Sequence, residues 1–109
     1  MARIEILPDA LSELDALPRL ERKALDNALL ELHDVSEILG YPHSSQVQGT
    51  TLRELRPRQG NSPWRAFYQR LADGTIVVAA IGPEAMHNRR RFDRAVDTAL
   101  ARLAAPESE

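Results

Sequence analysis

The stretch LRELRPRQGNSPWRAFYQRL (Leu52–Leu71), followed after Ala72, Asp73 and Gly74 by TIVVAAIGPEAMHNRRRFDR (Thr75–Arg94), decides the reading of this 109-residue chain. Trp64 to Leu71 alternates as a strand does, with Trp64, Ala66 and Tyr68 on one face and Arg65, Phe67 and Gln69 on the other. Asp73-Gly74 is the strongest short-range hairpin signal in the chain. Thr75 to Ile81 is apolar on both faces, which predicts a central strand covered on both sides. Arg53 to Arg56 opens the sheet, before Pro57 and a loop containing Gly60, Asn61 and Pro63 interrupt it.

Outward from this core the chain reads as helices. Arg3 to Leu7 sets Ile4 and Ile6 against Arg3 and Glu5, a short strand with one buried face that Pro8-Asp9 stops. Asp9 is expected to cap a brief helix carrying Leu11 and Leu14, and Pro18 suits the first turn of a second helix. Leu25, Ala28, Leu29, Leu32, Val35 and Leu39 recur at three- and four-residue steps, so one stripe of this helix faces a core until Gly40 and Pro42 end it. Tyr41 to Thr50 is polar and rich in breakers, a connecting loop. After Gly82-Pro83 a last helix is expected from about Asn88 to Leu103, with Phe92, Ala95, Val96, Ala99 and Leu103 on its stripe and Pro106 to Glu109 frayed. The order is β-α-α-β-β-β-α. It predicts one α+β domain over residues 1–109, a small antiparallel sheet with helices packed on one face.

Charge is segregated along the chain. Residues 1–50 hold four basic residues against nine acidic ones, whereas residues 51–94 hold nine arginines against four acids, so the sign reverses where the strands begin. Every basic residue after Lys23 is arginine, whose planar fork matches two phosphate oxygens and keeps its charge when buried. The strand region therefore reads as a basic surface fit for phosphate, although each single arginine also reads as an ordinary solvated charge.

Several function classes fall away. The chain has no cysteine, which excludes disulfide and thiolate chemistry. No apolar run approaches the roughly 18 residues of a membrane span, and no basic segment leads into an apolar one, so a cytoplasmic protein without membrane contact is expected. His33, His43 and His87 show no zinc-ligand spacing, and no Gly-rich phosphate loop precedes a helix, so neither metal nor cofactor is expected.

The Leu52–Arg56 strand, the aromatic-Arg-x-Phe-Tyr strand from Trp64 to Tyr68 and the apolar strand ending in Gly82 together resemble the RelE/ParE superfamily of type II toxins, closest to its HigB-like members. The resemblance implies a small toxin held inactive by a cognate antitoxin, as a homodimer or as a heterotetramer with that antitoxin. RelE-like members cut messenger RNA in the ribosomal decoding site, using the RNA 2′-hydroxyl and no metal; ParE-like members inhibit DNA gyrase. A third reading is a non-toxic member that only binds its antitoxin.

By the same resemblance Arg65 stabilises the transferring phosphate, and Arg53, Arg56 and Arg58 fall where the family places RNA-contacting cations. Glu54 interrupts the paired basic residues of that strand, Pro83 and Glu84 stand where RelE is basic, and Phe92 stands where it has a tyrosine. Cleavage also asks for a base and an acid, roles arginine cannot fill because its pKa lies above about 12. His87, between the last strand and the last helix, is the natural candidate; Glu54 and Tyr68 are alternatives. Trp64 can stack on an unpaired base or simply fill the core. Arg89, Arg90 and Arg91 sit in the first turns of the last helix, against its dipole, which hints at a phosphate or acidic partner as much as at a solvated turn.

Overall fold

In the computed structural model, which describes residues 2–35 and 39–105, the Asp73-Gly74 turn closes the hairpin on which the fold is built. Gly74 takes a left-handed φ of 89°, Leu71 N–H donates to the Thr75 carbonyl at 2.7 Å, and Asp73 Oδ1 accepts from Thr75 N–H at 2.9 Å. In chain order the elements are β1 (Ile4–Ile6), α1 (Pro8–Asp15), α2 (Arg19–Val35), β2 (Ser44–Gln46), β3 (Arg53–Leu55), a 3-10 turn (Pro57–Gly60), β4 (Trp64–Arg70), β5 (Ile76–Pro83) and α3 (Arg89–Ala104). The sheet order is β1-β5-β4-β3-β2, so β5 lies inside it, as its unbroken apolar run predicts.

The α+β class holds, and four details differ from the sequence reading. The sheet is mixed, because β1 pairs parallel to β5 with Ile4 opposite Ile76; alternation in so short an edge strand carries no information about direction. Ser44–Gln46, read as loop, is a fifth strand whose partner is β3. It has no β-branched or aromatic residue, so only pairing reveals it. The helices cover both faces. Ala66, Tyr68, Ile76 and Val78 meet Leu14, Leu25, Leu29 and Leu32 from α1 and α2, while Phe67, Ala79 and Ala80 meet Phe92, Val96 and Ala99 from α3.

Finally, Pro8 starts α1 and Leu7 is its N-cap without a side-chain bond, so Asp9 lies in the first turn and is no cap. Leu11, expected inside, is exposed, and Ala10 faces the core beside Leu14. The stripe of α2 is followed to Val35, itself exposed; residues 36–38 lie outside the described residues, Leu39 beyond them is buried in the core as expected, and the expected fraying from Pro106 to Glu109 also lies outside the described residues. Among the described residues no helix is long and apolar enough to cross a membrane.

Two devices set α3 in place. A Cβ on Gly82 would come within 2.5 Å of the Ala95 Cβ, so helix and strand approach at a spacing that only this pair of small residues permits. Beyond β1 the outer edge of β5 is bare, and side chains finish it. Glu13 of α1 accepts the Ile81 N–H at 3.0 Å, and Arg102 of α3 donates to the Ala79 carbonyl at 2.9 Å while pairing with Glu13 at 2.8 Å. That carboxylate raises the Arg102 pKa above its ordinary value.

Candidate functional site

Strand register brings the central cluster together. Arg65 faces Gly82 across the β4–β5 ladder, and Glu54 faces Phe67 across β3–β4. Side chains two residues apart share a face, so Arg65 sits diagonally between Glu54 on one side and Glu84, just past β5, on the other. Its Nε donates to Glu54 Oε1 at 3.2 Å and its Nη2 to Glu84 Oε2 at 3.2 Å. Nη1 donates to the carbonyls of Ser62 at 2.6 Å and Trp64 at 2.9 Å, and Nη2 also to that of Gly60 at 3.4 Å. A guanidinium has five N–H donors, and these five acceptors use them all. The side chain is only 1% exposed. Burial, and next the like charge of Arg56, pull its pKa below the ordinary arginine value, against the opposing pull of Glu54 and Glu84.

The turn that supplies the carbonyls is strained. Arg58 and Gln59 take left-handed φ angles of 54° and 57°, which cost a non-glycine residue roughly 1–3 kcal/mol each. The strain is held by α2: Arg58 Nη1 reaches both Glu21 carboxylate oxygens at 3.0 and 3.1 Å, and Ser62 Oγ donates to Glu21 at 2.8 Å. Gly60 takes a left-handed φ of 95°, which favours glycine, and a Cβ there would also displace Arg56 Nη2, 2.6 Å away. Arg56 lies flat against this turn, with the Tyr41 ring 5.1 Å away, Pro42 C=O at 3.0 Å and Glu54 Oε1 at 3.3 Å.

Glu54 connects this buried cluster to solvent. One of its oxygens serves both Arg56 and Arg65, and the side chain, 12% exposed, is among those lining a cleft of about 520 Å³ between β2–β3 and α3. Gln46, Gln48, Thr50, Arg89 and Asp93 give the cleft a polar rim. Arg89 pairs with Asp93 at 3.1 Å and lies 5.7 Å from the centre of the Phe92 ring. Phe92 itself is core, edge-on to Phe67 with centroids 5.4 Å apart.

Other residues singled out in the sequence lie elsewhere. Arg53 and Tyr68 point to the opposite face, where Ser44 Oγ binds the Tyr68 hydroxyl at 2.6 Å and accepts from Arg53 Nε at 3.0 Å. Tyr68 is buried there. Arg58 is the α2 clamp already described. His87 is exposed on the turn that follows Glu84, with its N–H on the Glu84 carbonyl. Trp64 lies half-buried on the α1 side, under Arg91 at 5.8 Å, and with Glu13, Leu17 and Ile81 it lines a second groove apart from Glu54. Arg90 is exposed. No local signal in the sequence marks Glu84 or Ser62 as a partner of Arg65, although the register of two strands around the Asp73-Gly74 turn points to Glu84. Among the described residues no group of acidic, histidine or cysteine side chains is arranged to hold a metal ion.

Residues 12–103 match the family model described as phage derived protein Gp49-like (DUF891). No curated protein matches the chain. Among solved structures it is similar to an arginine-to-alanine variant of the Escherichia coli toxin RelE in the free state, with 21% identity, a TM-score of 0.62, and coverage of 89% of this chain and 97% of that one. It is similar to the intact E. coli RelBE toxin–antitoxin complex at 20% identity and TM-score 0.62, covering 77% and 98% of the two chains. An archaeal RelE–RelB complex from Pyrococcus horikoshii OT3 matches at 23% identity and TM-score 0.50, over 75% and 93%. These likenesses bear out the RelE-type fold expected from the motifs around Arg56, Trp64 and Gly82.

Proposed function

We propose that this chain, which belongs to the Gp49-like family, is the toxin of a RelBE-like toxin–antitoxin pair and cuts messenger RNA on the ribosome. The observation that carries the reading is the placement of Glu54, which lines the cleft and has two guanidiniums on one of its oxygens. A 2′-hydroxyl in that cleft gives its proton to Glu54, its oxygen bonds to the adjacent phosphorus, and the bond from phosphorus to the 5′-oxygen breaks. The leaving oxygen takes a proton, for which His87 on the neighbouring turn is the donor. Arg56 and Arg65 hold positive charge next to the charge that develops on phosphorus. The nucleophile comes from the RNA itself, so the scheme requires no metal. The partner is an antitoxin that keeps the toxin silent, with a homodimer or heterotetramer as the assembly and the cytoplasm as the site of action.

Primer extension on a defined mRNA in a translating extract tests this, with the wild-type chain, Glu54→Gln and His87→Ala. Cuts at discrete codon positions that require translation, and that fall at least about 100-fold in Glu54→Gln, are expected. An intact message with folded protein overturns the nuclease reading. One observation then favours a ParE-like gyrase inhibitor or a non-toxic antitoxin binder: the donors of Arg65 are all taken within the chain. A supercoiling assay separates those two.

A further inference from the structure

The five acceptors around Arg65 are not equivalent. Three are backbone carbonyls of the 60–64 turn, anchored to α2 through Glu21. The fourth, Glu54, is shared with Arg56 and is 12% exposed. The fifth, Glu84, stands just beyond the end of β5, is 29% exposed, and makes a single side-chain hydrogen bond, the one to Nη2. Its departure breaks that one bond and leaves strand and turn intact, whereas departure of Glu54 would break bonds to two arginines.

Charge gives the departure a direction. Arg56 and Arg65 carry two positive charges, and Glu54 and Glu84 two negative ones, so the resting cluster is neutral. With Glu84 turned out to solvent, the cluster holds one net positive charge and an open Nη2 donor in a buried setting. That combination suits a singly charged oxyanion with an acceptor oxygen. A phosphodiester replaces the carboxylate charge for charge and bond for bond.

We infer that Nη2 of Arg65 is an exchangeable anion position, which Glu84 fills in the free chain and a backbone phosphodiester of single-stranded nucleic acid fills on binding. Glu84 is thus a gate that sets affinity by competing with the ligand. The choice of a phosphodiester rests on the proposed RNA substrate; the competition itself rests on the cluster. An arginine otherwise closed to solvent then acts on a phosphate without moving its own side chain.

The test uses the full chain, Glu84→Gln and Glu84→Ala, with a short 2′-O-methyl oligoribonucleotide, which has the phosphodiesters but no 2′-hydroxyl to react. Fluorescence anisotropy reads the dissociation constant, and thermal melting confirms folding. Loss of the competing charge is expected to tighten binding about tenfold in both variants, an effect the size of one close charge pair near a protein surface or less. Glu84→Gln keeps an acceptor for Nη2, so it guards against a variant that fails only because Arg65 lost a partner. Unchanged or weaker binding in a folded Glu84→Gln overturns the gate, as does absence of binding in all three proteins. Tighter binding without any mRNA cleavage keeps the gate and removes the nuclease reading.

Discussion

Arg65 and three arginines in the first turns of α3, Arg90, Arg91 and Arg94, lie within about thirty residues of each other, carry the same side chain, and live under opposite rules. Arg65 is sealed in the sheet with every donor paired. Arg90, Arg91 and Arg94 stand exposed and, among the described residues, make no ion pair; Arg91 rests on Trp64 alone. The difference comes from what the backbone offers. The carbonyls of Gly60, Ser62 and Trp64 and two diagonal carboxylates supply acceptors to Arg65, whereas a helix N-terminus presents N–H groups, which an arginine cannot use. Asn88 caps that terminus instead, accepting the Arg91 N–H at 3.0 Å. A buried, saturated arginine organises its surroundings; an exposed, unpaired one is available to a partner.

The sharpest way to break this contrast is Arg65→Ala. It leaves Glu84 without a cation and Glu54 with Arg56 alone, and should destabilise the fold by about 3–5 kcal/mol, read by denaturant unfolding. A loss under 1 kcal/mol would place Arg65 with the exposed set. Gly82→Ala tests the close approach that positions α3 and all its arginines. The added methyl meets Ala95 at 2.5 Å, and a loss of about 1–3 kcal/mol is expected.

The exposed set should behave the other way. Arg90→Ala, Arg91→Ala and Arg94→Ala should each shift stability by no more than about 0.5 kcal/mol. Where one of them contacts a phosphate, the salt dependence of RNA binding should flatten by about 0.7 in log–log slope. Melting and salt titration on the same variants read both.

The smallest effect belongs to Asp73 at the hairpin turn. The Thr75 N–H it accepts holds its pKa below the ordinary 3.8. A depressed folded pKa gives stability that is full above the unfolded value and fades as pH falls through the folded one. A slight acid-side loss of stability in the wild type should therefore be missing in Asp73→Asn.

Much of this was legible in the chain, because strands and helices advertise themselves by period. The alternation of Trp64 to Tyr68, the Asp73-Gly74 turn and the apolar run before Gly82 are local signals, and local geometry obeys them. Ser44–Gln46 gave no such signal, because its strand character comes only from pairing with β3. Asp9 misled because Pro8 already starts α1. The site was half legible. Arg65, Glu54 and Arg56 were singled out and do come together, while Arg53 and Tyr68 turn to the other face, since neighbouring strand residues point in opposite directions.

The sequence by itself determined the α+β class, the central hairpin, the helix stripes and the arginine-rich character of the strand region, since composition and period are properties of neighbours along the chain. Only the tertiary structure decided that α3 covers the opposite face from α1 and α2, that Glu13 and Arg102 finish the open edge of β5, and that Glu84 closes over Arg65. Those contacts join residues 19 to 89 positions apart, and no local propensity encodes which distant carboxylate a buried guanidinium will meet.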